Sequence, residues 1–205
     1  TLVAQIAGTL RPDSGEVLLD GVEITRMSPT ERVSLGLGRS FQITSLWFEL
    51  SAIENTLLGA QRTQGSVYRF WRPALDDAKA VQRARAALAY VNLEDRSAVP
   101  AKLLSYGEQK QLELAVALAG EPRMLLLDEP LAGVDAQTRA DMQDLVLALA
   151  RRYEQTCLLV THDVDEAVYM ADRVLVLSSR PTRVVRDIVV DLPRIRDQLS
   201  TKALP

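Results

Sequence analysis

Over the second half of the chain, apolar runs of strand length alternate with helical stretches, and that rhythm narrows the fold more than any other feature. Arg123–Leu127, Thr156–Val160 and Val174–Leu177 are near-continuous apolar segments. Helical spacing fills the intervals, over Glu108–Ala119, Gln137–Tyr153 and Val164–Ala171, and a last strand candidate covers Val184–Val190. A strand with one wet face alternates in polarity. A continuous apolar run needs cover on both faces, which implies a mainly parallel sheet with crossover helices. The fold class read from this is α/β.

The first half reads differently. Thr1–Gly8 has the apolar spacing of a helix already under way, and no initiator methionine precedes it, so the expectation is a chain cut on its N-terminal side. Pro12–Gly15 is a turn, and Glu16–Leu19 and Val22–Ile24 are short strands joined by the hairpin turn Asp20-Gly21. Ser28-Pro29-Thr30 opens a short helix with Pro29 in its first turn. From about 44 to 105 the pattern is helical. Ser51-x-x-Glu54 has the spacing of a capping box, residues 74–91 place Leu75, Ala78, Val81, Ala84, Leu88 and Val91 at helical intervals, and Thr63–Pro73 reads as a loop.

Composition sets limits. In 205 residues, 47% hydrophobic and 25% charged, there is a sizeable core and no sign of a low-complexity or disulfide-built chain. A net charge of −3 argues against a nucleic-acid module, without excluding one. Cys157 is the single cysteine, so no internal disulfide forms. The longest uncharged apolar stretches, such as Leu114–Gly120, fall far short of the roughly 20 residues of a spanning helix.

The chemistry concentrates where strands end. Leu125–Pro130 is an apolar run closing on two adjacent carboxylates, and ligands of such sheets bind outside the carboxyl ends of the strands. There Asp128 can hold a magnesium ion through hard oxygens and Glu129 can act as base on a water; a strand followed by a solvated turn is the plain alternative. Leu104–Gln109 opens a helix with a serine and a glycine, a seat for phosphate or an ordinary serine N-cap. His162, the only histidine, ends the neighbouring strand candidate.

In this order the motifs resemble those of the ATP-binding cassette subunits of ABC transporters, over essentially the whole chain. Leu104–Gln109 is similar to the signature motif, with Tyr106 where glycine is commoner; Met124–Glu129 to Walker B; Gln42 to the Q-loop; Leu131–Asp135 to the D-loop; His162 to the H-loop. The resemblance implies a P-loop NTPase-like fold with an inserted α-helical subdomain at 44–105, a remnant of an antiparallel β subdomain within 1–43, and a catalytic α/β core at 106–205. It implies ATP and Mg2+ as cofactors. Asp128 would bind magnesium through water, Gln42 would contact magnesium and sense the γ-phosphate, Glu129 would polarise the attacking water, and His162 would hold the γ-phosphate. Ser105 and Gly107 would clamp a nucleotide bound mainly by a second ABC subunit, with Glu108, Gln109 and Asp135 belonging to the same nucleotide site.

The G-x-x-x-x-G-K-[ST] loop that cradles phosphates in such enzymes occurs nowhere in the sequence. Thr1 resembles the residue just past that loop. The expectation is that the loop, its strand and the adenine-stacking aromatic lie outside these residues; the alternative is a pseudo-ATPase subunit.

The resemblance further implies transmembrane permease subunits as partners, a periplasmic solute-binding protein indirectly, and a peripheral place on the cytoplasmic face of the inner membrane. Trp47, Phe48, Tyr68, Phe70 and Trp71 lie in the region that would receive the permease, Trp47 and Phe48 being the stronger candidates. The substrate hints divide: Arg39–Gln42, Ala52–Asn55 and Leu104–Leu131 look like branched-chain amino acid and amide importers, whereas the stretch from Thr161–Ala167 through Asp191-Leu192-Pro193 looks like nitrate, sulfonate and taurine importers. The rival function is a soluble ABC ATPase acting on nucleic acid or ribosomes, and no nucleic-acid partner is expected.

Overall fold

Three leucines in the middle of one strand organise the molecule. In the computed structural model, which describes residues 2–40, 46–61, 77–152, 155–179 and 182–192, β4 (Met124–Asp128) is the centre of a three-stranded parallel sheet between β3 (Leu37–Ser40) and β5 (Thr156–Val160). The register sets Leu125 beside Gly38 and Cys157, and Asp128 beside Val160. Leu125 and Leu127 enter a core built with helices α3 (Ala52–Gln61), α4 (Ala78–Tyr90) and α5 (Tyr106–Ala119), whereas Leu126 enters a second core with Val3, Ala7, Leu19, Ile24 and Leu37. Alternate side chains leave opposite faces of a strand, so an unbroken leucine run serves a strand covered twice. Each such leucine stabilises the fold by about 1.5–3 kcal/mol.

The second core joins the sheet to the N-terminal segment: α1 (Leu2–Ile6), the antiparallel pair β1 (Leu18–Leu19) and β2 (Val22–Glu23), and α2 (Pro29–Ser34). The hairpin turn falls on Asp20-Gly21 as expected, with φ of 49° and 78°, the positive values a type I′ turn demands. Ser28 caps α2 in a reciprocal box with Glu31, and Pro29 occupies the first turn. Strand β3 is absent from the sequence reading. Gly38 interrupts its apolar pattern for a tertiary reason: a Cβ there would come 2.7 Å from Pro122.

Helices α3, α4 and α5 pack on one another with small residues at the contacts. A Cβ at Gly59 of α3 would stand 2.1 Å from the Val116 carbonyl oxygen of α5, so only glycine permits that approach. The capping box expected at Ser51 forms, the Ser51 amide donating 2.7 Å to Glu54 Oε2. Helix α6 (Ala136–Arg152) follows β4, and α7 (Val164–Met170) follows β5. One pairing departs from expectation. β6 (Arg173–Leu177) joins not the parallel sheet but β7 (Val184–Val189), as an antiparallel ribbon whose side chains are mostly exposed. Among the described residues no helix is long and apolar enough to cross a membrane.

Candidate functional site

Strands β4 and β5 run parallel and in register, so their carboxyl ends reach the same edge. Asp128 is the last residue of β4. Glu129 follows in the left-handed region, φ 46°, a conformation that costs a non-glycine residue of order 1 kcal/mol and is held by its surroundings. Its amide donates 2.8 Å to the Val160 carbonyl at the end of β5, and the Ala132 amide donates 3.2 Å back to the Glu129 carbonyl. The turn so made sends the Glu129 carboxylate towards the end of the neighbouring strand, where Oε1 lies 3.1 Å from His162 Nδ1.

That contact brings two sequence-selected residues together. Against an ionised carboxylate, which only accepts, the hydrogen bond has Nδ1 as its donor, and Nε2 faces away from Glu129. The His162 side chain is 80% exposed and that of Glu129 is 30% exposed, which leaves the pair open to a ligand. Behind it, the Thr161 hydroxyl donates 2.7 Å to Glu166 and accepts from the Asp163 amide, and Asp163 caps α7. The histidine thus leaves a fixed strand-to-helix turn.

The Ser-Gly entrance is a helix start, as expected. Ser105 caps α5 and Glu108 returns the bond, its Oε2 accepting 2.7 Å from the Ser105 amide. Burial would raise the Glu108 pKa, but the Ser105 amide and hydroxyl and the Arg96 guanidinium outweigh it and hold the carboxyl below its usual range. Gln109 is engaged within the fold, its side-chain amide donating to the carbonyls of Ala101 and Leu104. Gly107 is required by packing, since a Cβ would come 2.7 Å from Thr138 of α6. Asp135 caps α6, accepting from the amides of Gln137 and Thr138 and from the Thr138 hydroxyl, which holds its carboxyl low. Thr1 and Gln42 lie outside the described residues, as do Tyr68, Phe70 and Trp71.

Among the described residues no cluster of three His, Cys, Asp or Glu side chains could cage a metal. A magnesium ion does not need one, because it is held by one or two carboxylates together with phosphate oxygens and water. Asp128 at the strand tip fits that role.

A second feature escaped the sequence reading. A cavity of about 380 Å³ opens between the sheet and the α3–α5 layer, lined by Leu37, Leu46, Trp47, Leu58, Val116 and Pro122 among others. Trp47 is 66% exposed. Buried Asn55 fixes the turn that carries it, accepting from the Trp47 amide and donating to the carbonyls of Trp47, Leu50 and Ser51. The sequence signal was an asparagine inside a helical stretch, and its burial became visible only in the fold.

Comparison with known proteins agrees with this geometry. The family profile described as ABC transporter matches residues 1–132. The aliphatic sulfonates import ATP-binding protein of Zymomonas mobilis subsp. mobilis is 39% identical over 198 residues, covering 97% of this chain and 73% of that protein. Its Escherichia coli K12 namesake is 39% identical over 196 residues, covering 96% and 68%. Among solved structures, the ADP conformation of MJ1267, an ATP-binding cassette of an ABC transporter, superposes with a TM-score of 0.74 at 30% identity over 85% of this chain and 69% of that one. The dimeric post-hydrolysis state of the ATP-binding cassette MJ0796, bound to ADP and Pi, gives 0.75 at 25% identity over 92% and 79%. With the motifs in order and the acidic strand end beside the histidine, the chain belongs to the ABC transporter family, as an ATP-binding, ATP-hydrolysing subunit of the importer type.

Proposed function

We propose that the chain drives the uptake of aliphatic sulfonates, hydrolysing ATP with Glu129 as the group that polarises the attacking water and His162 as the group that holds the γ-phosphate. The observation that carries this reading is the 3.1 Å contact between Glu129 and His162 at the carboxyl edge of β4 and β5. A carboxylate at that edge can accept a proton from water, and the histidine fixes where it stands. Asp128 and Gln42 would hold Mg2+, which would supply neutralisation of phosphate charge. Phosphoryl transfer asks for little covalent chemistry from the protein, so positioning and charge account for these roles.

Ser105 and Gly107 face a nucleotide held chiefly by a second ABC subunit in this reading, in line with the dimeric state of MJ0796. The phosphate-cradling G-x-x-x-x-G-K-[ST] loop does not occur in this sequence. The cavity beside Trp47, between helices α3 and α5 and the sheet, receives the permease, and the subunit works at the cytoplasmic face of the inner membrane. A periplasmic solute-binding protein delivers the substrate. The sulfonate class rests on the names of the curated relatives and displaces the amino acid alternative.

Uptake by the transporter reconstituted in vesicles tests the reading. An alkanesulfonate should be imported with ATP inside the reach of the subunit, leucine should not, and Glu129→Gln should abolish import and turnover while nucleotide binding persists. Import of leucine in preference to the sulfonate overturns the substrate class, and near-normal turnover in Glu129→Gln removes that residue from its role.

A further inference from the structure

Tyr106 stands where the resembling family more often has glycine, and the structure gives the phenol a use that glycine cannot supply. Its hydroxyl donates 3.2 Å to the Ala132 carbonyl, crossing from the first turn of α5 to the loop after β4. The amide of the same residue, Ala132, donates to the Glu129 carbonyl. One residue therefore carries both bonds: it closes the turn on Glu129 with its N–H and is anchored to Tyr106 through its C=O. Gly133, next along, has φ 77°, and a Cβ there would come 3.4 Å from the Tyr106 hydroxyl, so the phenol lies against this bend.

The ring is itself held. The Lys110 ammonium lies 5.6 Å from its centroid, and that ammonium is fixed by Glu113 at 3.0 Å, both side chains being buried. The close approach of Gly107 to Thr138 forms a second seam between α5 and the segment that follows Glu129. Glu129 occupies a backbone conformation that persists only where the surroundings impose it. The Val160 carbonyl holds it on one side, and the Ala132 turn holds it on the other.

We propose that Tyr106 is a positioning residue for Glu129, acting through the Glu129–Ala132 turn. The inference rests on Glu129 as the water-polarising group. Without the hydroxyl the turn loses its anchor, the Glu129 carboxylate wanders, and the chemical step slows while nucleotide binding is untouched.

The test is Tyr106→Phe in the intact transporter, a change that deletes one oxygen. Turnover should fall about three- to tenfold with the KM for ATP altered less than about twofold, the split expected when only the transition state is affected. Amide hydrogen exchange at Ala132 should quicken about two- to fivefold, as for loss of one ordinary hydrogen bond, with protection in β4 and α5 retained as proof of folding. Wild-type exchange in the loop overturns the tether. Faster exchange with wild-type turnover, or a lower rate that comes entirely from a raised KM, overturns the positioning role. Glu129→Gln runs beside it, and undiminished turnover there overturns the assignment of Glu129 instead.

Discussion

Arg32 is the side chain whose importance is least visible from its identity. It is 1% exposed, and its guanidinium donates to the carbonyls of Gln5 and Ile6, each at 2.6 Å, of Thr25 at 2.9 Å and of Met27 at 3.1 Å. One fork of donors therefore closes the end of α1 and ties it to the strand and loop before α2. Burial pushes the guanidinium pKa down, and the carbonyls repay the desolvation. Replacing Arg32 by Met keeps most of the volume and takes a donor from four carbonyls, of which that of Gln5 still accepts from the Gly8 amide, so we expect urea unfolding to show a loss of about 3 kcal/mol or more, with Arg32→Lys recovering only part. A loss below about 1 kcal/mol for Arg32→Met would mean that water satisfies those carbonyls. In the sequence Arg32 is one basic residue after a helix start, and nothing local marks it as buried. The acidic pair and His162 were legible because they end strands. Their contact was not, since it depends on the register that sets Asp128 beside Val160.

Helix starts show how far local chemistry reaches. The box at Ser51/Glu54 was read from spacing, because a capping box is closed within four residues, and the structure adds boxes of the same spacing at Ser28/Glu31 and Ser105/Glu108. The serine hydroxyls and amides hold the carboxyls of Glu31 and Glu54 below their usual range, and Thr138 does so for Asp135. A carboxyl whose pKa is lower folded than unfolded adds stability above its unfolded value, about 4 for these side chains. That stability drains away as the pH falls through the depressed folded value. Thermal melts followed by circular dichroism should therefore lose Tm from about pH 4 downward, and the double variant Ser28→Ala, Ser51→Ala should flatten that slope. An unchanged slope would assign acid sensitivity to other groups. Strand β3 shows the opposite case. Gly36 and Gly38 answer to Arg123 and Pro122 across the sheet, so their meaning exists only once the partners are in place.

For the molecule as a whole, the architecture was readable where burial is two-sided. The leucines of β4 announce a covered strand, and they are the ones that divide the two cores. The apolar run of β6 carries the same message in sequence, yet it lies in an exposed ribbon, because a run of valines and leucines cannot state what lies over it. The proposed nucleotide site is likewise distributed. The acidic strand end and the helix start that we assign to it are present, but the lysine-bearing phosphate loop is not among the 205 residues. Isothermal titration of residues 1–205 with ATP should accordingly show no saturation at micromolar concentrations, and a micromolar Kd would overturn that division of parts. The ribbon of β6 and β7 has a practical corollary. Val184, Val185, Ile188 and Val189 turn greasy flanks to water on strands that have no neighbour beyond each other among the described residues. Polypeptide left in that condition clings to its own kind, so a preparation of these residues by themselves should cloud as it is concentrated.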